Sequence, residues 1–161
     1  MNLQLTKTLI DIIKPKLNDV NIQDYPEIDN YHCNLVNING IESLLITNNK
    51  TLFSFFIYDV DFENFIETIK QSVFKILVDL GFPQNQFEKI LDSMETINYT
   101  KTSDRSVLAS MNDMKKHIEI GLLFYKDSVL EINQRINDIP YKKNGYVKSI
   151  ILFQKLLEES K

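Results

Sequence analysis

The sequence has no tryptophan, a single cysteine, and only four glycines and four prolines in 161 residues. One cysteine, Cys33, can form neither an internal disulfide nor a cysteine-cluster metal site. Only two histidines accompany it, so we expect no bound metal and no cofactor. Four glycines are too few for a glycine-rich phosphate loop, and neither the Walker pattern nor the dinucleotide-binding pattern occurs.

Long apolar runs and an excess of basic residues are also missing. No stretch approaches the roughly 20 apolar residues of a membrane span. Residues 1–16 contain Asp11 within their apolar run and lack a small-residue cleavage site, unlike a secretory signal. The net charge of −4 argues against a general nucleic-acid binder, which needs clustered lysine and arginine. We therefore expect a cytoplasmic protein that does not associate with membranes and for which nucleic acid is a disfavoured partner.

The composition that is present suits one folded domain. Apolar residues make up 43% of the chain, enough at this length to build a core. No internal repeat and no low-complexity linker divides the sequence. We predict a single globular domain over residues 1–161.

Residues 31–58 have the pattern of consecutive β-strands. Three runs rich in β-branched and aromatic residues, HCNLVNIN, IESLLITN and TLFSFFIY, are separated by Asn39-Gly40 and by Asn48-Asn49-Lys50. These separators are turn-forming residues at hairpin spacing, so the pattern predicts an antiparallel meander. A fourth strand is predicted over residues 96–102, and a brief strand at residues 2–5 is an option.

The clearest helix is predicted over residues 61–80, where apolar residues recur every three and four positions. Gly81 and Pro83 end it. Further helices are predicted over residues 5–14, 87–94, 104–124 and 147–158. Residues 18–30 are predicted to be a loop and residues 128–140 a mixed segment. These elements predict an α+β fold in which a small antiparallel sheet packs against several amphipathic helices.

A stripe along the 104–124 helix carries Ser106, Ser110, Asp113 and His117, the residue types of a hydrolytic triad. Ser110 and His117 are seven residues apart, which is roughly 10 Å along a helix. A nucleophile must lie within about 3 Å of its base. No Gly-x-Ser-x-Gly elbow occurs either, so the stripe does not predict a hydrolase.

His32, at the start of the first meander strand, is the one candidate for proton transfer, because imidazole titrates near neutral pH. Asn34 shares its face of the strand, and Cys33 lies on the other. A strand-end histidine bonded to a nearby carbonyl is the alternative. We expect Cys33 to be packed rather than nucleophilic, since a reactive thiolate needs an electropositive neighbour.

The densest polar cluster is the run Lys101-Thr102-Ser103-Asp104-Arg105-Ser106, where a strand meets a helix. Free amides at a helix start, together with hydroxyls and two cations, are suited to hold an anion. The alternative is a solvated capping turn whose cations neutralise nearby carboxylates. A small basic and aromatic patch around Lys142-Lys143 is typical of ordinary surface.

Several motifs coincide with those of a known family. The run Lys101–Asp113 has the pattern Lys-Thr-x-Asp-Arg-Ser-Val-Leu-x-Ser-Met-Asn-Asp. Other matches follow in order: Thr6-Lys7, Tyr31-His32-Cys33-Asn34-Leu35, Asn48-Asn49-Lys50-Thr51 and Asn133-x-Arg135-x-Asn137-x-x-Pro140. The sequence therefore resembles a family of small, mostly bacterial proteins known only as a domain of unknown function.

The resemblance implies positions of interest but no reaction. The family's tryptophan is Tyr31 here, and the basic residues of its first hairpin turn are replaced by Gly40-Ile41-Glu42, which would weaken an anion site relying on that turn. The residues themselves and the resemblance together nominate these ligand-binding candidates: Lys7, His32, Asn34, Asn48, Lys101, Arg105, Ser106, Ser110, Asn112 and Arg135.

Three functional hypotheses follow. The favoured one is a non-enzymatic module that binds a partner protein or a small anionic ligand at a polar junction of sheet and helix. The second is an enzyme acting on a phosphate-containing substrate, with His32 as acid or base and with Arg105 and Lys101 stabilising charge. The third is nucleic-acid binding through Arg105, Arg135 and Lys142-Lys143.

Overall fold

The structure is a computed structural model that describes residues 1–160. These residues form one five-stranded sheet in the order β4-β3-β2-β1-β5. The strands are β1 (Asn2–Leu5), β2 (Asn30–Ile38), β3 (Ile41–Asn48), β4 (Ser54–Ile57) and β5 (Asn98–Lys101). The predicted α+β fold is confirmed.

The predicted meander is present, since β2, β3 and β4 pair in antiparallel order. The short β1 lies between β2 and β5 and pairs in parallel with both. The sheet is therefore mixed rather than antiparallel throughout. Parallel partners require a crossover connection, and α1 with the loop after it supplies the one between β1 and β2.

Six α-helices surround the sheet in the described residues. They are α1 (Lys7–Ile13), α2 (Phe65–Asp79), α3 (Gln84–Ser93), α4 (Arg105–Ile120), α5 (Val129–Asp138) and α6 (Ser149–Glu159). Short 3-10 turns occupy Ile22–Asp24, Glu27–Asp29 and Lys142–Asn144, and α4 continues as a π-helical turn over Gly121–Tyr125. No helix in residues 1–160 has both the length and the apolar character needed to cross a bilayer.

The prediction of a mixed segment over residues 128–140 is wrong, because α5 is a regular helix. Ser128 and Glu131 form a reciprocal capping box at its start. Ile132 and Ile136 are buried one turn apart, and so are the polar Asn133 and Asn137. The two buried amides interrupt the apolar periodicity that would have marked a helix.

The sheet separates two clusters of buried side chains. On one face, residues of β1, α1, α2, α3 and α6 pack around an aromatic group in which the rings of Phe53 and Phe153 stack with centroids 4.3 Å apart. On the other face, α4 and α5 cover β2, β3 and β4 with Val107, Met111, Met114 and Ile132 among the buried residues. Both faces of the meander are therefore covered.

Helix α5 covers the outer edge of β4 with side-chain amides. The Ser54 N–H donates to Asn137 Oδ1 at 2.7 Å, and Asn137 Nδ2 donates to the Ser54 carbonyl at 2.8 Å. Asn133 makes the same pair of bonds with the N–H and carbonyl of Phe56, at 2.9 and 3.0 Å. Two asparagines one helical turn apart thus occupy the place of a sixth strand.

Asparagine also bonds to the outer edge of β5. The backbone N–H of Asn18 donates to the Tyr99 carbonyl at 2.8 Å, and the Tyr99 N–H donates to Asn18 Oδ1 at 2.9 Å. Between the edges, Asn98 Nδ2 donates to Asn2 Oδ1, and Asn2 Nδ2 donates to Asn30 Oδ1. A chain of amides therefore crosses β5, β1 and β2.

Replacing Asn133 with alanine should destabilise the fold by roughly 2–4 kcal/mol, because it leaves the buried N–H and carbonyl of Phe56 without hydrogen-bond partners. Each buried unpaired group costs about 1–3 kcal/mol. Urea unfolding measures the change. The exposed Asn85 on α3 is the matched control, and Asn85→Ala should stay within about 0.5 kcal/mol of the parent. Equal losses in both variants would contradict the role of Asn133 at the edge.

Candidate functional site

A surface cavity with a volume of about 580 Å³ lies where the loop before β2, the turn between β3 and β4, and the start of α4 come together. We call it the polar cleft. Its lining residues are Ile22, Gln23, Tyr25, Glu27, Asn30, Asn49, Lys50, Asp104 and Lys143. Two lysines and two carboxylates therefore face one cavity of small-molecule size.

His32 lies beneath the polar cleft and joins two of its walls. The side chain is fully buried on β2. Its Nδ1 lies 2.7 Å from Oδ1 of Asn49 in the β3–β4 turn, and its Nε2 accepts the backbone N–H of Asp104 at 3.3 Å. Both ring nitrogens are thus engaged by residues that line the cleft.

The row of the sheet that contains His32 is polar across all five strands. Register pairs place Gln4 on one side of His32 and Thr47 on the other. The row continues to Thr100 on β5 and to Ser54 on β4. Side chains of directly paired residues share a face, so a polar stripe crosses the sheet on the side that α4 covers.

The start of α4 is occupied by its own capping residue. Asp104 Oδ1 accepts the backbone N–H groups of Ser106 and Val107 at 2.8 and 3.2 Å. Lys143 Nζ donates to Asp104 Oδ2 at 2.9 Å and to the Ser106 hydroxyl at 2.8 Å. The amides expected to hold an external anion are therefore already satisfied by a carboxylate, as in the capping-turn alternative.

The charge of Asp104 is stabilised where it lies. Burial raises the pKa of this carboxyl group, but the hydrogen bonds from Lys143, Ser106 and Val107 outweigh burial and hold the pKa well below its usual range. Asp104 is accordingly ionised at neutral pH. The cation that neutralises it is Lys143, from a distant part of the chain, rather than Lys101 or Arg105.

The opposite wall of the cleft is built on the β3–β4 turn. Asn48 is buried, and its Oδ1 accepts from the N–H groups of Lys50 and Thr51 at 3.2 and 3.0 Å. Its Nδ2 donates to the carbonyl of Glu27 at 3.0 Å, which ties the turn to the preceding loop. Lys50 Nζ then lies 3.0 Å from Glu27 Oε1 at the surface. Asn48 thus holds this wall of the cleft in place, although it is not itself a lining residue.

The structure brings only part of the nominated set to the cleft. His32, Asn48 and Ser106 adjoin it through the contacts above. Lys101 and Arg105 are exposed and do not line it. The phosphate-enzyme hypothesis combined His32 with Lys101 and Arg105, and the side chains of that trio do not meet in this cavity.

The other nominated residues lie elsewhere. Lys7 and Asn112 are exposed on α1 and α4, and the Ser110 hydroxyl donates to the Ser106 carbonyl within α4. Asn34 Oδ1 accepts from the Thr6 hydroxyl at 3.4 Å. Arg135 pairs with Asp127, their Nη2 and Oδ2 atoms 2.5 Å apart, and stacks over the ring of Tyr125.

Most residues that define the cleft are not evident from the sequence. Lys143 belongs to a patch that is typical of ordinary surface, and Lys50 stands out only as a turn residue. The loop residues Ile22, Tyr25 and Glu27 carry no local signal. Asn49 and Lys50 directly follow Asn48 within a family motif. That motif is the one indication in the sequence that the β3–β4 turn contributes to a site.

The other reactive groups offer little chemistry. Cys33 is fully buried on the opposite face from His32, and burial raises the pKa of its thiol far above the ordinary range. Within residues 1–160, no group of three or more histidine, cysteine or acidic side chains is placed to hold a metal ion.

These features define a class: an α+β protein with helices on both faces of a mixed sheet and a polar cleft beside a capped helix. Residues 2–151 match the family model described as a domain of unknown function (DUF6933), and the chain belongs to that family. A search of curated proteins and a search of solved structures each found no match.

Replacing Asp104 with alanine should lower the free energy of unfolding at neutral pH by about 1 kcal/mol, the usual cost of removing a helix cap. Because the folded pKa of Asp104 is lowered, its stabilisation is complete above the ordinary aspartate pKa of about 4 and is lost as the pH falls below it. The variant should therefore lose less stability than the parent in acid. Urea unfolding at about pH 7 and about pH 3 tests both expectations.

Asp113→Ala is the matched control, because Asp113 is an exposed aspartate on the same helix and pairs only with Lys116 at 3.4 Å. It should change the unfolding free energy little at either pH. Similar behaviour of the two variants would contradict the capping role of Asp104.

Proposed function

We propose that the protein is a non-enzymatic module that binds a small anionic ligand in the polar cleft. The observation that carries this proposal is the presence of two lysines, Lys50 and Lys143, from separate walls of one cavity. Amide side chains of Gln23 and Asn49 lie beside them. Cations together with amide donors are the groups that recognise carboxylate or phosphate oxygens.

Lys50 is the cation that can exchange its partner. Its ion pair with Glu27 lies at the surface, with the two side chains 60% and 56% exposed. Exposed pairs of this kind contribute about 0–1 kcal/mol. A ligand anion can therefore replace Glu27 on the Lys50 ammonium group at little cost.

Lys143 is the cation that is already in place. Asp104 and Ser106 hold its ammonium group at 2.9 and 2.8 Å, and its side chain is only 25% exposed. An ammonium group has three donors, so these two bonds leave one for a ligand oxygen. Because the lysine is ordered before binding, little conformational entropy is lost when the ligand arrives.

The size of the cleft favours a small molecule over a macromolecule. Ligand pockets usually enclose about 300–1,000 Å³, and the cleft lies within that range. Ile22 and Tyr25 add an apolar and an aromatic surface to the charged lining. A ligand with an organic portion and an anionic group matches this combination.

Binding is favoured over catalysis because of how His32 is used. Its Nδ1 and Nε2 are both hydrogen-bonded inside the protein, so neither is directed at a ligand. A general acid or base must reach the proton it transfers. We also propose a cytoplasmic location, with which the buried free thiol of Cys33 agrees.

The proposal predicts binding of simple anions at the cleft. We expect sulfate, inorganic phosphate, succinate or AMP to shift the backbone amide signals of Asn49, Lys50 and Asp104 in a two-dimensional NMR titration. Lys143→Gln should weaken the tightest of these probes by about tenfold or more, since a hydrogen bond to a charged group contributes roughly 1.5–3 kcal/mol.

Lys116→Gln is the matched control, because Lys116 is an exposed lysine on α4 whose partner is Asp113. It removes the same charge and should leave the affinity within about twofold of the parent. Absence of saturable shifts at the cleft with all four probes would contradict the proposal, as would equal loss of affinity in both lysine variants.

A further inference from the structure

We infer that His32 is the positioning residue of the polar cleft, and that its neutral imidazole clamps the β3–β4 turn to the start of α4 and releases them when it is protonated. The inference rests on the proposed function, because it concerns regulation of the same cleft. It predicts a ligand site that is assembled near neutral pH and lost in acid.

The protonation state of His32 follows from its partners. A backbone N–H can only donate, so Nε2, which faces the Asp104 N–H at 3.3 Å, must be the unprotonated nitrogen. Nδ1 then carries the hydrogen and donates to the Asn49 side chain at 2.7 Å, which orients the oxygen of that amide toward the ring. Geometry alone therefore requires the neutral Nδ1–H tautomer.

The surroundings of the ring also favour the neutral form. The ionisable groups that act on the His32 ring are Asp104, from the start of α4, and Lys143, from the turn beyond α5. The side chains that flank the ring on β1 and β3 are Gln4 and Thr47, which are uncharged. Burial lowers the pKa of His32, and the charge of Lys143 lowers it further. The Asn49 hydrogen bond and the Asp104 carboxylate oppose these effects without cancelling them.

Protonation would break one of the two contacts of the clamp. A second N–H on the ring would point at the Asp104 N–H, so the Nε2 bond would be replaced by repulsion between two donors. The start of α4, with Asp104 and the Lys143 bonded to it, would then separate from the wall that carries Asn49 and Lys50. Both cations proposed to hold the ligand would lose their relative positions.

The direction of the pH effect follows from the lowered pKa. The unfolded chain binds a proton at the ordinary histidine pKa of about 6.5, whereas folded His32 binds it only at lower pH. The clamp therefore stabilises the protein fully above about pH 6.5 and loses that contribution as the pH falls toward the folded pKa. Ligand affinity depends on the folded state alone, so it should fall only as the pH passes below the folded pKa of His32.

The first experiment is an NMR titration of the ¹⁵N-histidine-labelled full chain from about pH 8 to about pH 4.5. His117, which is exposed on α4, is the other histidine of the chain and supplies the second signal in the spectrum. His32 should show the Nδ1–H tautomer and titrate below the ordinary histidine pKa of about 6.5, together with the amide signals of Asn49 and Asp104. An Nε2–H tautomer, or titration of His32 at or above that ordinary pKa, would overturn the inference without bearing on ligand binding.

The second experiment measures sulfate affinity by the same amide shifts at about pH 7.5 and at a pH below the His32 midpoint found in the first experiment, because sulfate keeps its charge over this range. The parent and His117→Gln should bind several-fold more weakly in acid. His32→Gln, which offers one donor and one acceptor but does not titrate, should bind with an affinity that changes less than about twofold. Equal acid sensitivity of His32→Gln and the parent would overturn the inference.

The two experiments separate the two proposals. If sulfate fails to bind the parent at about pH 7.5 while His32 shows the expected tautomer and low titration, the proposed anion site fails and the histidine clamp stands. If His32→Gln does not fold, the titration of the parent still decides, since it needs no variant.

Discussion

The pairing of the backbone at the edge of the sheet is the interaction on which most of the structure depends. β4 is an edge strand, and its free N–H and carbonyl groups are buried under α5, where water cannot satisfy them. Asn133 and Asn137 satisfy them with four hydrogen bonds of 2.7–3.0 Å. This docking fixes α5, and the chain leaving α5 carries Lys143 to the cleft, where Asn144 Nδ2 bonds to the Thr51 carbonyl. The contact between α5 and the edge of β4 thus helps to position Lys143 at the candidate site.

A second consequence of the amide chemistry is the polar stripe under α4. A sheet face usually buries apolar side chains, but here a row from Thr100 to Ser54 is polar on every strand, with Gln4, His32 and Thr47 between them. Buried polar groups are tolerated when they find partners. In this row the Thr47 and Ser54 hydroxyls bond to each other and Gln4 Oε1 accepts from the Ser103 hydroxyl, whereas Gln4 Nε2 and Thr100 Oγ1 have no hydrogen-bond partner. The His32 contacts to Asn49 and Asp104 are the part of this network that reaches the surface. One imidazole therefore connects the packing of the sheet to two walls of the cleft.

Much of the fold could be predicted from local patterns, and the failures have identifiable physical causes. The meander and α2 follow from periods of two and of three to four residues. α5 escapes prediction because its buried asparagines resemble surface residues, and the parallel pairing of β1 escapes it because strand direction depends on distant partners. At the site, residue type and position nominate His32 and Ser106. They do not nominate Lys50, and they name Lys143 only in the basic patch considered for nucleic acid. The two lysines are 93 positions apart and come to line one cavity only in the folded chain. The family's Asn-x-Arg-x-Asn pattern supplied the candidate Arg135, and its two asparagines are explained by the edge of β4.

The asparagines that bond to the outer edges of β4 and β5 also limit how another protein chain can bind to the sheet. Many regulatory proteins are captured by a partner that lengthens an exposed sheet by one strand. At β4 that place is taken by Asn133 and Asn137 of α5. At β5 Asn18 bonds to Tyr99, and the next outward-facing position, Lys101, carries a charge that disfavours strand addition. At these two edges, recognition by another chain would therefore depend on side-chain chemistry rather than on backbone register.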